Sequence, residues 1–306
     1  MAHGTPRSLD ELPDFYTEIR RGSPPPPELL ADLERRYRSI GGTSPLNERT
    51  AAQVEGIGLA LDTRAPGRFV VAAGAKFAPP RIEQAVGQLG RADVGRMIGL
   101  VLAPHYSVAS VGDYARRARS AAEALGPDEG GPIEVEMIDH WYAAPGFVSL
   151  MARRVRGAVD MLAPEARTGA TVVFTAHSIP ARLVDDGDPY EAQVRASAAA
   201  IAAAAGLARW SVAWQSAGRT ADAWLGPDVR DVITALAGSG APAVVVCPVG
   251  FVSDHLEVLY DLDVEACAVA GEAGIAFART ASLNDDPEFC DVLAGVVLDA
   301  AGPASA

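Results

Sequence analysis

The chain is poor in cysteine: only Cys247, Cys267 and Cys290 occur in 306 residues, and no two form a C-x-x-C pair. That argues against a zinc or iron–sulfur centre and points to free thiols in a reducing compartment. Cys247 falls inside a strand-like run, where a thiol acts as a small core residue. No uninterrupted apolar run of about 18 residues occurs, so no membrane-spanning helix is expected. The Ala-rich stretch 197–208 is short and weakly apolar. Residues 1–12 are polar and charged where a secretory signal would be apolar, so a cytoplasmic location is expected. Basic residues are outnumbered, 26 Lys and Arg against 39 Asp and Glu, giving a net charge of -13. Such a chain is not built to neutralise a phosphate backbone, and nucleic acid is not an expected partner. There is no G-x-x-x-x-G-K-[ST], and the GIG at 56–58 lacks a third glycine and a preceding strand, so no nucleotide cofactor is expected. Without G-x-S-x-G, Ser178 is a weak candidate for a hydrolase nucleophile.

What is present alternates. Strand-like apolar runs near 68–73, 97–103, 133–138, 171–176, 209–214 and 243–251 are separated by helix-like stretches at 80–94, 110–125, 145–163, 188–206 and 228–238. Residues 28–40 read as a further helix. Near-continuous apolar strands between helices mean parallel sheets covered on both faces. The expectation is an α/β protein of two Rossmann-like domains. The first spans 1–135 and is joined by a returning C-terminal helix, 282–306; the second spans 136–281.

Two segments concentrate the chemistry. TVVFTAHSIP at 171–180 ends a buried strand on His177. CPVGFVSDHLEVLYDLDVE at 247–265 follows a buried strand with His255 and then Glu257, Asp261 and Glu265, spaced i, i+4, i+8. On a helix those three acids share one face with modest drift. A loop histidine satisfied by backbone and a solvated acidic face are the ordinary explanations of each segment. Against them stands position: ligands of open α/β sheets bind beyond the carboxyl ends of the strands, where both segments lie. An imidazole and a carboxylate converging there suit a borderline metal such as Fe²⁺, held by too few ligands for a closed structural site. They equally suit a base–acid pair acting on a bound ligand.

Further stretches are GTP at 4–6, YTEIRRG at 16–22, LERRYRSIGGTSPLNE at 33–48, LAPHYS at 102–107, FTAHSIP at 174–180, WQSAGRTADAWLGPDV at 214–229 and PVGFVSDHLEVLYDLDVE at 248–265. In content and order they resemble the ferrochelatase family, in particular the coproporphyrin III form of Gram-positive bacteria. The resemblance implies a chelatase-like fold with a porphyrin cleft between two domains. It implies insertion of Fe²⁺, as substrate, into coproporphyrin III, giving coproheme in haem biosynthesis. His177 matches the family's catalytic histidine and Glu257 its partner carboxylate, both also expected to meet the metal. Asp261 and Glu265 match the acidic line along which metal or protons travel. Arg20, Arg36, Tyr37, Ser44 and Tyr114 match porphyrin contacts, and arginine forks suit propionates. A monomer is expected, with other haem-pathway enzymes as partners.

The chain departs from the family in two places. It has His3 in MAHGTP where relatives often have tyrosine, which makes His3 a candidate axial ligand to iron. Relatives also carry an apolar strand before that point, so the start of the first domain is expected upstream. No iron–sulfur cluster is expected, because the tail lacks cysteine after Cys290. The alternatives are a protoporphyrin IX ferrochelatase, a chelatase for another metal or tetrapyrrole, and a non-catalytic porphyrin or haem carrier. The carrier reading requires loss of a catalytic pair that is present. No single residue separates coproporphyrin from protoporphyrin.

Overall fold

Val is the commonest residue of the buried strands, and the architecture follows from where those runs stop. The computed structural model describes residues 1–92 and 94–303 and divides into two units, Met1–Trp141 with Asn284–Ala306, and Tyr142–Leu283.

In the first unit, strands β1 (Met97–Leu100) and β2 (Val135–Ile138) pair in parallel, Met97 opposite Val135. The helices Ile82–Gly90 and Val111–Glu123 pack on each other and close a core around Ile82, Val86, Met97, Tyr114 and Ala118. The helices Leu46–Arg64 and Pro287–Ala301 also pack together. Their contact is close at Gly56, where a Cβ would stand 2.6 Å from Cys290 Sγ. Gly56 of the GIG at 56–58 is thus required by helix packing.

The run near 68–73 forms no strand, contrary to its composition. Apolar residues make a strand only when a neighbour takes their backbone groups, and the bridges here begin later. Ala2 N–H donates to Gly74 O at 3.0 Å, Lys76 N–H to Ala2 O at 3.0 Å, and Leu102 N–H to Met1 O at 2.9 Å. Residues 1–3 therefore run between the end of β1 and residues 74–77. A cavity of about 760 Å³ lies beside β1, walled by Ile57, Leu61, Phe69, Val71, Ile98 and Val297 among others.

The second unit has a fuller sheet. Strands β3 (Thr171–His177), β4 (Trp210–Gln215), β5 (Ala243–Cys247) and β6 (Ala276–Arg279) form a parallel sheet in the order β4-β3-β5-β6. The strands β3 and β5 are central, which is why their runs are apolar without alternation. Val173, Val244 and Val246 pack with Val229, Ile233, Val258 and Leu262. Strand alternation turns Val172, Phe174 and Val245 to the other face, where the helices Pro145–Asp160 and Tyr190–Ala205 lie against the sheet and each other. The Ala-rich helix ends at Gly206, whose positive φ of 71° supplies the left-handed cap. The strand β6 has four residues and half-buried edges, too short and mixed to stand out as a run.

Candidate active site

The last residue of β3 is His177, paired in register with Gln215 at the end of β4. The strand β5 stops at Cys247, and after a tight loop the helix Leu256–Tyr260 begins, with His255 in extended backbone at its N-cap. The Gln215 side chain, 1% exposed, donates from Nε2 to Glu257 O at 3.0 Å and ties this helix start to the sheet. Two strand ends thereby bring an imidazole and a carboxylate together: His177 Nε2 lies 3.5 Å from Glu257 Oε1. Glu257 has a second imidazole, with His255 Nε2 3.5 Å from Oε2.

The backbone sets the tautomers. His177 Nδ1–H donates to Ser178 O at 2.5 Å, since a carbonyl only accepts. His255 Nδ1–H donates likewise to Ser253 O at 3.0 Å. In both rings the lone pair of the neutral form is therefore at Nε2, the nitrogen that faces Glu257. Burial by itself would lower the His177 pKa, but the Glu257 carboxylate, helped by Ser178 O and Asp261, outweighs it and pushes it up to about 9. Burial would raise the Glu257 pKa; the two imidazoles reverse this and hold the carboxyl well below its ordinary range. His177 and Glu257 keep 37% and 35% of their side-chain surface exposed, so this charged pair faces an opening.

The acids beyond Glu257 lie on a helix of changing pitch. Leu256–Tyr260 is α-helical and Asp261–Ala266 is a π-helix. Four residues along an α-helix overshoot a full turn by about 40°. Four along a π-helix fall short of one, because each turn holds more than four residues. The opposed offsets straighten the row of Glu257, Asp261 and Glu265 relative to the α-helical drift expected from spacing. Ser216, a non-glycine residue at φ 59°, donates its hydroxyl to Asp261 Oδ2. Arg230 Nη1 lies 3.5 Å from Glu265 Oε2. Backbone strain of this kind is concentrated at functional sites. Among the described residues no group of three or more His, Cys, Asp or Glu side chains is gathered tightly enough to hold a metal. The site presents a pair.

The porphyrin-contact candidates lie in the first unit. Arg20 caps the helix Leu12–Ile19, half-buried, with its guanidinium 5.9 Å from the Tyr16 ring centroid. Arg36, in the last turn of Pro27–Ser39, is held by Asp32 Oδ2 at 3.2 Å. Tyr37 is buried, and its hydroxyl shares a 2.8 Å hydrogen bond with Thr5 Oγ1. Ser44 is buried and accepts from Leu46 N–H at 3.4 Å. Tyr114 is a core residue beneath the Lys76 amine, 5.0 Å from its ring centroid, and burial raises its pKa. Three of the five are thus packed into the unit, and two arginines reach its surface. His3 is exposed, with Nδ1–H donating to Gly4 O at 3.0 Å and its ring 4.7 Å from that of Phe77.

The ferrochelatase family profile matches residues 1–301. The chain belongs to the ferrochelatase family. It is 42% identical over 300 residues to the coproporphyrin III ferrochelatase of Geobacillus thermodenitrificans, covering 97% of this chain and 93% of that one. The corresponding enzyme of Bacillus subtilis is 40% identical over 304 residues, 99% of this chain and 96% of the relative. A Herpetosiphon aurantiacus ferrochelatase is 40% identical over 297 residues, 97% and 96% of the two chains. Among solved structures, a multi-domain Deinococcus radiodurans protein described as structurally similar to chelatases superposes with a TM-score of 0.52 at 15% identity. That match covers 84% of this chain and 52% of the other, so this chain spans about half that protein's length. It establishes the chelatase-like α/β fold of parallel sheets flanked by helices.

As a ferrochelatase the protein takes Fe²⁺ and a porphyrin as substrates, and the strand ends bring an imidazole and a carboxylate to one opening. The sequence singles out His177 and Glu257, which the fold brings together, but gives His255 no part beside them. Its signal was a histidine two residues before a site carboxylate on an N-cap, which turns both side chains toward the same opening. Ser216 and Arg230 carried no sequence signal, because each meets the acid row only through the fold. The three cysteines are free, Cys247 and Cys290 buried and Cys267 exposed. No helix among the described residues is long and apolar enough to cross a membrane.

Proposed function

We propose that this ferrochelatase inserts Fe²⁺ into coproporphyrin III, with His177 Nε2 as the proton acceptor and Glu257 as its partner. The observation that carries the reading is the imidazole whose Nδ1–H is spent on Ser178 O and whose Nε2 stands 3.5 Å from a carboxylate. A pyrrole N–H is far too weak an acid to ionise unaided. A lone pair at Nε2 takes its proton, and the carboxylate stabilises the imidazolium that forms. Two protons leave the ring as Fe²⁺ enters. One Nε2 lone pair cannot hold a proton and a metal at the same moment, so Fe²⁺ is proposed to pass from Glu265 to Asp261 to Glu257, held by one carboxylate after another, while the first proton leaves. The same row and His255 then carry protons outward.

Arg20 and Arg36 are proposed to receive substrate carboxylates. Coproporphyrin carries four and protoporphyrin two, so the arginines favour the former, and the local cations override the acidic field of the chain. Tyr37, Ser44 and Tyr114 are proposed to support that surface from beneath. In His3 the committed Nδ1–H leaves Nε2 as the lone-pair nitrogen, and His3 is proposed to ligate the product iron axially. The two units are proposed as the protein's two domains. The protein is proposed to act as a cytoplasmic monomer, its free thiols suiting a reducing compartment.

The test is anaerobic mixing of the protein with Fe²⁺ and either coproporphyrin III or protoporphyrin IX, followed by visible absorption. Faster metallation of coproporphyrin, abolished by His177→Ala, is expected. Metallation that survives His177→Ala refutes the assigned base; preference for protoporphyrin refutes the substrate.

A further inference from the structure

The three acids of the row differ in the groups nearest to them. Glu257 faces two imidazoles, each at 3.5 Å, and Asp261 receives the Ser216 hydroxyl. Glu265 meets the Arg230 guanidinium at 3.5 Å. Imidazoles titrate and hydroxyls are neutral, whereas a guanidinium is a permanent positive charge. Arg230 therefore places a fixed cation at the end of the row remote from His177.

The geometry of that cation is asymmetric. Its fork is spent on Asp228: Nε donates to Oδ1 at 2.9 Å and Nη2 to Oδ2 at 3.0 Å. Asp228 is itself fixed as the N-cap of the helix Val229–Gly238, accepting from Arg230 N–H at 2.9 Å. Arg230 is thus anchored without Glu265. Its contact with Glu265 is longer than a normal hydrogen bond, and its side chain keeps 48% of its surface exposed. An incoming cation can take Glu265 from Arg230 without uprooting the guanidinium, whose fork stays on Asp228.

We propose that Arg230 sets how strongly the acid row draws a divalent cation, holding Glu265 until the metal displaces it, and so acts as a positioning residue for metal uptake. This rests on the reading of Glu257, Asp261 and Glu265 as the metal path. The consequence is a built-in brake on loading. Successive carboxylates with no fixed counter-charge would draw a divalent ion strongly and pass it on slowly; one charge of opposite sign at the end of the row weakens capture and favours onward transfer.

Two substitutions act in opposite directions. Arg230→Gln removes the fixed charge. Asp228→Asn keeps the helix cap, since Asn caps as well as Asp, but releases the fork to bind Glu265 more closely. The effect of one charge several ångströms from a divalent ion near the surface is about three- to tenfold. The experiment measures the KM for Fe²⁺ and kcat in anaerobic coproporphyrin metallation for both variants, Glu265→Gln and the parent. Arg230→Gln is expected to lower the KM for Fe²⁺ about three- to tenfold with a much smaller change in kcat, and Asp228→Asn to raise it. Both differences should shrink at high salt, where surface charges are screened. A general loss of structure would lower kcat in both variants and would not give opposite KM shifts. If Arg230→Gln does not fold, the sign of the Asp228→Asn shift alone decides. A raised KM in Glu265→Gln with no fall in Arg230→Gln overturns the role of Arg230 and keeps the path. No KM change in either, in a protein still inactivated by His177→Ala, overturns both the path and Arg230 while leaving the reaction assignment intact.

Discussion

The end of the sheet in the second unit and the helices of the first carry chemically opposite equipment. At the ends of β3 and β5 the functional groups are titratable and partly open, with orientation fixed by backbone carbonyls and a neighbouring glutamine side chain. In the first unit the candidate groups include two permanent cations, Arg20 and Arg36, while Tyr37, Ser44 and Tyr114 are buried. The two kinds of group suit two different tasks. Proton transfer needs a group whose charge changes and whose geometry does not, and strand ends supply rigidity. Recognition of carboxylates, the role proposed for Arg20 and Arg36, needs charge that never changes, and a guanidinium supplies it.

That division orders the expected effects of mutation. His177→Ala should have the largest, lowering kcat by about two to four orders of magnitude as for loss of a general base, checked by anaerobic metallation. Glu257→Gln, compared above about pH 9 where the ring is neutral in both proteins, should cost less, about ten- to a hundredfold, because His177 and its Ser178 bond remain. Arg20→Ala and Arg36→Ala should act mainly on the KM for the porphyrin, each by about tenfold, and more for a tetracarboxylate than for a dicarboxylate. A large kcat loss with unchanged porphyrin KM in these arginine variants would break the comparison. Gly56→Val should leave the chemistry alone and lower stability by about 1–3 kcal/mol through overpacking against Cys290, read as a fall in the melting temperature. The smallest effect belongs to His3→Ala: a shift in the absorption spectrum of the product complex with little change in turnover.

Much of the second unit was legible in the chain. The runs ending at His177 and Cys247 are long, apolar and followed by loop residues, which is what a central parallel strand looks like. His177 and Glu257 stood out because each follows such a run. The run near 68–73 was equally apolar but forms no strand, since composition cannot reveal whether a neighbour is there to pair with it. The strand Ala276–Arg279 was hidden by its shortness. The π-helical pitch at Asp261–Ala266 was hidden because i, i+4 spacing of acids reads the same on either helix. Ser216 and Arg230 were illegible for a different reason: 45 residues separate Ser216 from Asp261, and only the fold places the pair together. Tyr37 and Tyr114 matched a motif, yet their burial is set by packing that a motif does not describe.

The role proposed for Glu257 is to tune His177 as the base. His177, raised to about 9 by Glu257, is an imidazolium at neutral pH and must lose its proton before it can take one from a pyrrole. The rate should therefore climb with pH and level off above about 9. Removing the carboxylate withdraws the group that favours the charged ring, so the pKa must fall. The direct measurement is kcat/KM for coproporphyrin metallation as a function of pH, for the parent protein and Glu257→Gln, because this quantity reports groups of the free enzyme. A limiting pKa near 9 in the parent that drops toward the ordinary histidine value of about 6.5 in Glu257→Gln is the expected result. An identical limiting pKa in both proteins would contradict it.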